Sequence, residues 1–96
     1  MEWKRTEDHY REYSTLTIGL RHYISMVRTK GNDTFQYIYS KNGVQVLAGG
    51  IIANNWDEAE RAVVERVLSR LHEEAEYWNM VLNDFEKAVN VNESLD

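Results

Sequence analysis

One stretch decides the fold of this chain: residues 55–90, NWDEAERAVVERVLSRLHEEAEYWNMVLNDFEKAVN, which contain neither glycine nor proline. Their apolar residues recur at alternating spacings of four and three positions, the repeat of a helix with one apolar seam. Asn55 is followed three residues later by Glu58, a capping pair typical of a helix start. We therefore predict one long helix from about residue 56 to about residue 90, and a frayed polar tail over residues 91–96.

The preceding segment, residues 14–53, has the pattern of antiparallel β-strands. Polar and apolar residues alternate over residues 15–20, and again over the aromatic stretch 35–39. A turn cluster at residues 30–33 and the Asn42-Gly43 dipeptide, the strongest hairpin signal, lie between strand segments. We predict an α+β fold in one domain over residues 1–96: an antiparallel meander of three to four strands packed by the long C-terminal helix. Residues 1–13 are interpreted either as an N-terminal arm or as a short helix.

A two-residue turn at Asn42-Gly43 also predicts the register of the hairpin. Tyr39 then opposes Val46, and Tyr37 opposes Ala48. The predicted core face consists of Phe35, Tyr37, Tyr39, Val44, Val46 and Ala48, with Ile38 and Leu47 on the other face.

The predicted helix is too long for the predicted sheet. Thirty-five helical residues span roughly 52 Å, whereas strands of about eight residues span only ~26 Å. The second half of the helix therefore has an apolar seam and no sheet to cover it. We predict a homodimer whose interface consists of Leu68, Leu71, Ala75, Trp78, Val81, Leu82, Phe85 and Val89. Antiparallel pairing about a dyad near residues 76 and 77 sets Ala75 against Trp78 of the second copy, which fills space better than Trp78 against itself.

Charge is distributed unevenly along the chain. Residues 1–55 carry seven Lys/Arg against five Asp/Glu, whereas residues 56–96 carry four against eleven, so that the total is −5. An acidic half favours basic protein partners over free nucleic acid. The acidic helix residues outside the seam, which we predict to bind such a partner, are Glu58, Glu65, Glu73, Glu76, Asp84 and Glu86.

The composition excludes several classes of protein. The chain has no cysteine, so a disulfide framework and a thiolate metal site are excluded. We find no signal-peptide pattern and no apolar run long enough for a membrane span, which predicts a cytoplasmic protein. His72 and Glu76 have the spacing of a metalloprotease pair, but a glutamate stands where the second histidine is needed. We therefore predict no catalytic residue, no metal and no cofactor.

An alternative function is nucleic-acid binding through the sheet side and its basic loops. The predicted order of elements resembles the double-stranded-RNA-binding domain, a family that anchors phosphates with lysines at the start of its last helix. Residues 57–61 here read DEAER, which repels phosphate, so only the topology is similar. The residues that this alternative would use are Arg21, Arg28, Lys30 and Lys41.

A second resemblance concerns the chain as a whole. It has Trp3-Lys4-Arg5-Thr6 near its start, a strand meander with a glycine turn, and Trp56-Asp57-Glu58-Ala59 at the opening of a helix. In this it resembles small phage and prophage accessory proteins, including anti-CRISPR inhibitors. The resemblance implies a phage-encoded inhibitor that presents an acidic surface to a host defence nucleoprotein complex.

Overall fold

The structure is a computed structural model that describes the backbone of residues 2–95 and the side chains of residues 2–90. Five antiparallel strands form one sheet in the order β1-β2-β3-β4-β5, followed by a single helix. The predicted α+β meander with a long C-terminal helix is confirmed. The elements are β1 Lys4–Glu7, β2 Arg11–Ile18, β3 His22–Thr29, β4 Thr34–Lys41, β5 Val44–Ile52 and α1 Trp56–Leu95.

The N-terminal segment is a strand, so the predictions of a short helix there and of three to four strands are wrong. β1 pairs antiparallel with β2, with Arg5 opposite Ser14. The turn between them is built by Asp8, whose carboxylate accepts hydrogen bonds from the backbone N–H groups of Tyr10 and Arg11, at 2.8 and 2.7 Å. These N–H groups hold the pKa of Asp8 below its ordinary value. β1 is short and exposed throughout, which explains why no alternating apolar pattern marks it.

The β4–β5 hairpin turns at Asn42 and Gly43, as predicted. Both residues have positive φ, 54° and 77°, which a two-residue hairpin turn of type I′ requires. Lys41 pairs with Val44 directly across this turn.

One extra residue in β5 changes the register beyond the turn. Tyr39 pairs with Leu47 instead of the predicted Val46, and Tyr37 pairs with Gly49. Such a β-bulge exchanges the two faces of the strand from that point on. Gly49 suits its place because a Cβ atom there would lie 3.2 Å from the ring of Tyr37. The β5 residues opposite the core aromatics are therefore Leu47, Gly49 and Ile51 rather than the predicted Val46 and Ala48.

The helix begins where the capping pair predicts. The side-chain oxygen of Asn55 accepts a hydrogen bond from the backbone N–H of Glu58 at 2.9 Å, and Glu58 accepts one from the N–H of Asn54 at 3.1 Å. At the other end the helix continues to Leu95, beyond the predicted end at about residue 90, and the fraying of residues 91–96 stays a prediction. The physical reason for the longer helix is that neither glycine nor proline follows Asn54 to end it. Asp96 lies outside the described residues.

The core lies between one face of the sheet and the first three turns of α1. Ala59 and Val63 are fully buried, and Val67 is the last buried helix residue among the side chains that the structure describes. On the sheet the buried apolar residues are Leu16, Ile24, Met26, Phe35, Tyr37, Tyr39 and Ile51.

The helix is much longer than the sheet that covers it. Its 40 residues span about 60 Å, whereas a strand of eight residues spans about 26 Å. The molecule accordingly measures 71 × 24 × 20 Å. About 40 Å of helix lies beyond Val67. Its first turn, with Leu68 and Leu71, still borders the sheet, and the rest projects past it. No helix in the described part of the chain is both long and apolar enough to cross a membrane.

Candidate interaction surface on the long helix

The predicted interface residues form an apolar seam along the projecting part of α1. We call the helix seam the set Leu68, Leu71, Ala75, Trp78, Val81, Leu82, Phe85 and Val89. The side chains of Trp78, Leu82 and Phe85 are 58%, 56% and 68% exposed. Within the seam, Val81 is the residue that is half-buried. Monomeric proteins rarely leave so many large apolar side chains in one exposed row, so the helix seam is a candidate contact surface.

A groove beside the helix continues the seam onto the sheet. It has a volume of about 440 Å³ and lies between α1 and the β2–β3 side of the core face. Sequence reasoning missed this groove, because Trp3 reaches it only through the pairing of β1 with β2. Its walls are formed by Trp3, Leu16, Ile18, Ile24, Val64, Val67, Leu68 and Leu71.

Three of the six predicted acidic residues lie on the outer side of the helix. With successive residues rotated by about 100°, Glu58, Glu65 and Glu76 fall in one row roughly opposite the buried Val63. Glu73 and Asp84 form a second row on the flank of the helix, where Glu73 lines a groove against the sheet. We call these five residues the acidic face. All five are exposed, and none forms an ion pair within the part of the chain that the structure describes.

Glu86 does not belong to the acidic face. It is exposed, but the helical rotation places it beside the seam residues Leu82 and Val89, on the border away from the second acidic row.

The basic residues of the nucleic-acid alternative do not form one patch. Arg21 and Lys41 lie at one end of the sheet, whereas Arg28 and Lys30 lie at the other, about 25–30 Å away along β3. Arg28 donates hydrogen bonds to Glu12 at 2.6 and 3.1 Å and lies over the ring of Phe35.

Lys30 is engaged as well, because its ammonium group lies 3.1 Å from the carboxylate of Glu7. Two of the four cations are thus held by carboxylates of the same chain, and the structure brings no more than two of the four together.

A polar cluster that sequence reasoning missed anchors the base of the helix. The carboxylate of Glu60 is buried and accepts two hydrogen bonds from the guanidinium of Arg5, at 2.6 and 3.1 Å. It also accepts one from the buried hydroxyl of Ser14 at 2.5 Å, and Arg5 contacts Asp57 at 2.7 Å as well. The hydrogen bonds to Glu60, and then those to Asp57, raise the pKa of Arg5 above its ordinary value. Every polar group here is engaged, so the cluster is structural.

A second cluster lies beside the first. Glu12 accepts hydrogen bonds from Arg28 and from the indole N–H of Trp56, the latter at 3.2 Å. The Arg28 guanidinium holds the pKa of Glu12 below its ordinary value.

Histidine and carboxylate side chains do not converge elsewhere in a way that suggests chemistry. Among the described residues, no three His, Asp or Glu side chains lie together as a metal site would need. His72 is exposed, and His22 is hydrogen-bonded to the buried hydroxyl of Tyr39 at 2.6 Å. Burial raises the pKa of Tyr39.

Comparison with known proteins adds no assignment. No protein-family model, no curated protein and no solved structure matches this chain. The candidate surfaces are therefore argued from their own chemistry.

Proposed function

We propose that this chain is a non-catalytic interaction protein, which dimerises through the helix seam and binds a basic protein surface through the acidic face. One observation carries the proposal. The helix continues about 40 Å beyond its own core, and four large apolar side chains of the seam there, Trp78, Leu82, Phe85 and Val89, are more than half exposed.

The energetics favour a second copy as the cover of the seam. Burying five large side chains from full exposure is worth on the order of 8–15 kcal/mol gross. Trp78, Leu82 and Phe85 are 58%, 56% and 68% exposed, so each chain gains roughly half of this. Association itself costs about 4–15 kcal/mol, so the pairing needs the seams of both chains, which a symmetric pair supplies.

The acidic face is the surface that such a dimer leaves for another partner. Its carboxylates are exposed and without ion pairs in the described part of the chain, so their charge is available to steer a basic surface into contact. The same charge repels phosphate, and the helical half of the chain carries a net −7. An inhibitor of a defence nucleoprotein complex, which the phage resemblance implies, would occupy a basic groove in this way.

Light scattering tests the dimer. We expect the wild type to have the mass of two chains at tens of micromolar, and the Trp78→Glu, Phe85→Glu double variant to have the mass of one. The matched control is Leu20→Glu, Ile52→Glu, which adds the same charge at apolar side chains that are 100% and 77% exposed away from the seam. A monomeric wild type, or a control that dissociates equally, contradicts the proposal.

Charge neutralisation tests the acidic face. We expect Glu73→Gln, Glu76→Gln and Asp84→Asn together to weaken binding to a basic histone dimer at least tenfold at physiological salt, and added salt to weaken wild-type binding. The control changes the net charge equally by Glu2→Gln, Asp33→Asn and Gln45→Lys, at exposed residues away from the helix. An equal loss in the control shows that overall charge rather than the acidic face is responsible.

A gel shift with duplex and single-stranded nucleic acid completes this test. The proposal expects no binding by the wild type at physiological salt. Tight binding there supports the nucleic-acid alternative instead, and Arg21, Arg28, Lys30 and Lys41 become the residues to replace.

A further inference from the structure

The helix seam and the groove meet at the same residues. Leu68 and Leu71 belong to both, and they are 48% and 37% exposed. The opposite wall of the groove contains Trp3 and Ile18 of the same chain. A second helix that packs along the first half of the seam therefore also contacts the sheet.

The two borders of the seam differ in chemistry. On one border lie the residues directly after Val64, Leu71, Trp78 and Phe85. They are Glu65, His72, Asn79 and Glu86, and all four are polar. On the other border lie the residues directly before Leu68, Ala75, Leu82 and Val89. They are Val67, Glu74, Val81 (which also belongs to the seam) and Ala88, and three of the four are apolar. Val67 is buried against the sheet of its own chain, so the apolar border is the one on the sheet side.

The difference between the borders selects the direction of pairing. In a parallel pair each apolar border would face a polar border of the other helix, whereas in an antiparallel pair like borders face each other. Antiparallel pairing about residues 76 and 77 also sets Leu68 against Phe85 of the second copy, and Val64 against Val89.

We infer that the two helices pair antiparallel, and that the groove of each chain receives Phe85 and Ala88 of the second copy. The inference rests on the proposed homodimer and specifies its direction and its second surface. Ala88 of the second copy lies on the apolar border, and Val67 on the same border of the first copy is already covered by its own sheet, so the end of the second helix lies against Trp3 and Ile18 instead. The arrangement also brings the exposed Glu65 and Glu86 of the two copies near each other, where solvent and salt screen them.

Cysteine cross-linking tests the direction, because the chain has no cysteine of its own. We expect Leu68→Cys and Phe85→Cys chains, mixed and oxidised, to form a disulfide-linked pair of unlike chains, whereas neither variant links to itself. Glu73→Cys on the acidic face is the control and should not link to either.

Each other outcome overturns a defined part of the inference. Self-linking of Leu68→Cys and of Phe85→Cys shows a parallel dimer, which refutes the direction and leaves the proposed function standing. A dimer by light scattering without any cross-link refutes the pairing. A monomeric wild type refutes both.

A second pair of variants tests the groove. We expect Ile18→Glu to raise the dimer dissociation constant at least tenfold, while Thr17→Glu on the exposed opposite face of β2 leaves it within twofold. Oxidation of Ile18→Cys mixed with Ala88→Cys should give a linked pair even if Ile18→Glu is too unstable to assay. An unchanged constant for a folded Ile18→Glu, or no link in the mixture, shows that the groove takes no part.

Discussion

The anchor of the long helix rests on one buried carboxylate, and its removal should be measurable. Glu60 has a side chain that is 6% exposed, and it accepts two hydrogen bonds from Arg5 and one from Ser14. Breaking a fully buried ion pair costs about 3–5 kcal/mol. The side chain of Arg5 is 47% exposed, so water reaches the site after its removal and the loss should be smaller than for a fully buried pair. We expect Arg5→Ala to lower the free energy of unfolding by about 2 kcal/mol.

The origin of that loss can be separated by a double-mutant cycle. If it comes from a buried charge without its partner, Arg5→Ala should cost less than half as much in a Glu60→Gln background, where no charge is buried. Ser14→Ala removes one hydrogen bond to the carboxylate and should cost about 1–2 kcal/mol in the wild type.

The assay is urea unfolding followed by circular dichroism. The protein concentration is held fixed, because the proposed dimerisation would add to the apparent stability. Arg61→Ala is the control, since Arg61 is exposed and forms no ion pair in the part of the chain that the structure describes. A loss below about 0.5 kcal/mol for Arg5→Ala, or an equal loss in both backgrounds, refutes the reasoning.

Two further predictions concern acid stability and the β5 bulge. The pKa of Glu12 is lowered in the folded chain, so its contribution to stability is present above its ordinary pKa and is lost as the pH falls through the folded value. Urea midpoints between pH 3 and pH 7 should therefore fall less steeply for Glu12→Gln, and an unchanged slope contradicts this. Gly49→Ala should cost about 1 kcal/mol more than Gly50→Ala, because the new methyl meets an aromatic ring at 3.2 Å rather than a methyl at 3.7 Å. Equal unfolding midpoints of the two variants contradict this account of the bulge.

The helix and its seam were predictable because their signal is local and repeated. From Val64 to Val89 the apolar residues keep the same alternation of four and three positions, and neither glycine nor proline interrupts it. The end of the helix was predicted about five residues too early because it was argued from polarity, and polar residues alone do not end a helix.

The β5 register and the helix anchor were not predictable in the same way. The bulge depends on how the Tyr37 ring packs on Gly49, a tertiary contact that the two-residue turn does not determine. Arg5 and Glu60 are 55 residues apart, and β1 that carries Arg5 has no alternating pattern to mark it. The groove was missed for the same reason. Trp3, which forms part of its wall, directly precedes β1, and no sequence pattern marks that strand.

α1 presents a buried row, the helix seam and the acidic face on different sides, because successive helical residues are rotated by about 100°. The buried row of Ala59, Val63 and Val67 and the seam row that contains Leu71 differ by about 70–80° around the axis. The chain therefore buries one row against its own sheet and leaves the next row exposed, and the groove lies where the two rows adjoin. Glu58 and Glu76 are turned farther from both rows, whereas Glu65 borders the seam. If a second copy pairs along the seam as we propose, most of the acidic face stays open, and Glu65 is the acidic residue that both contacts would share.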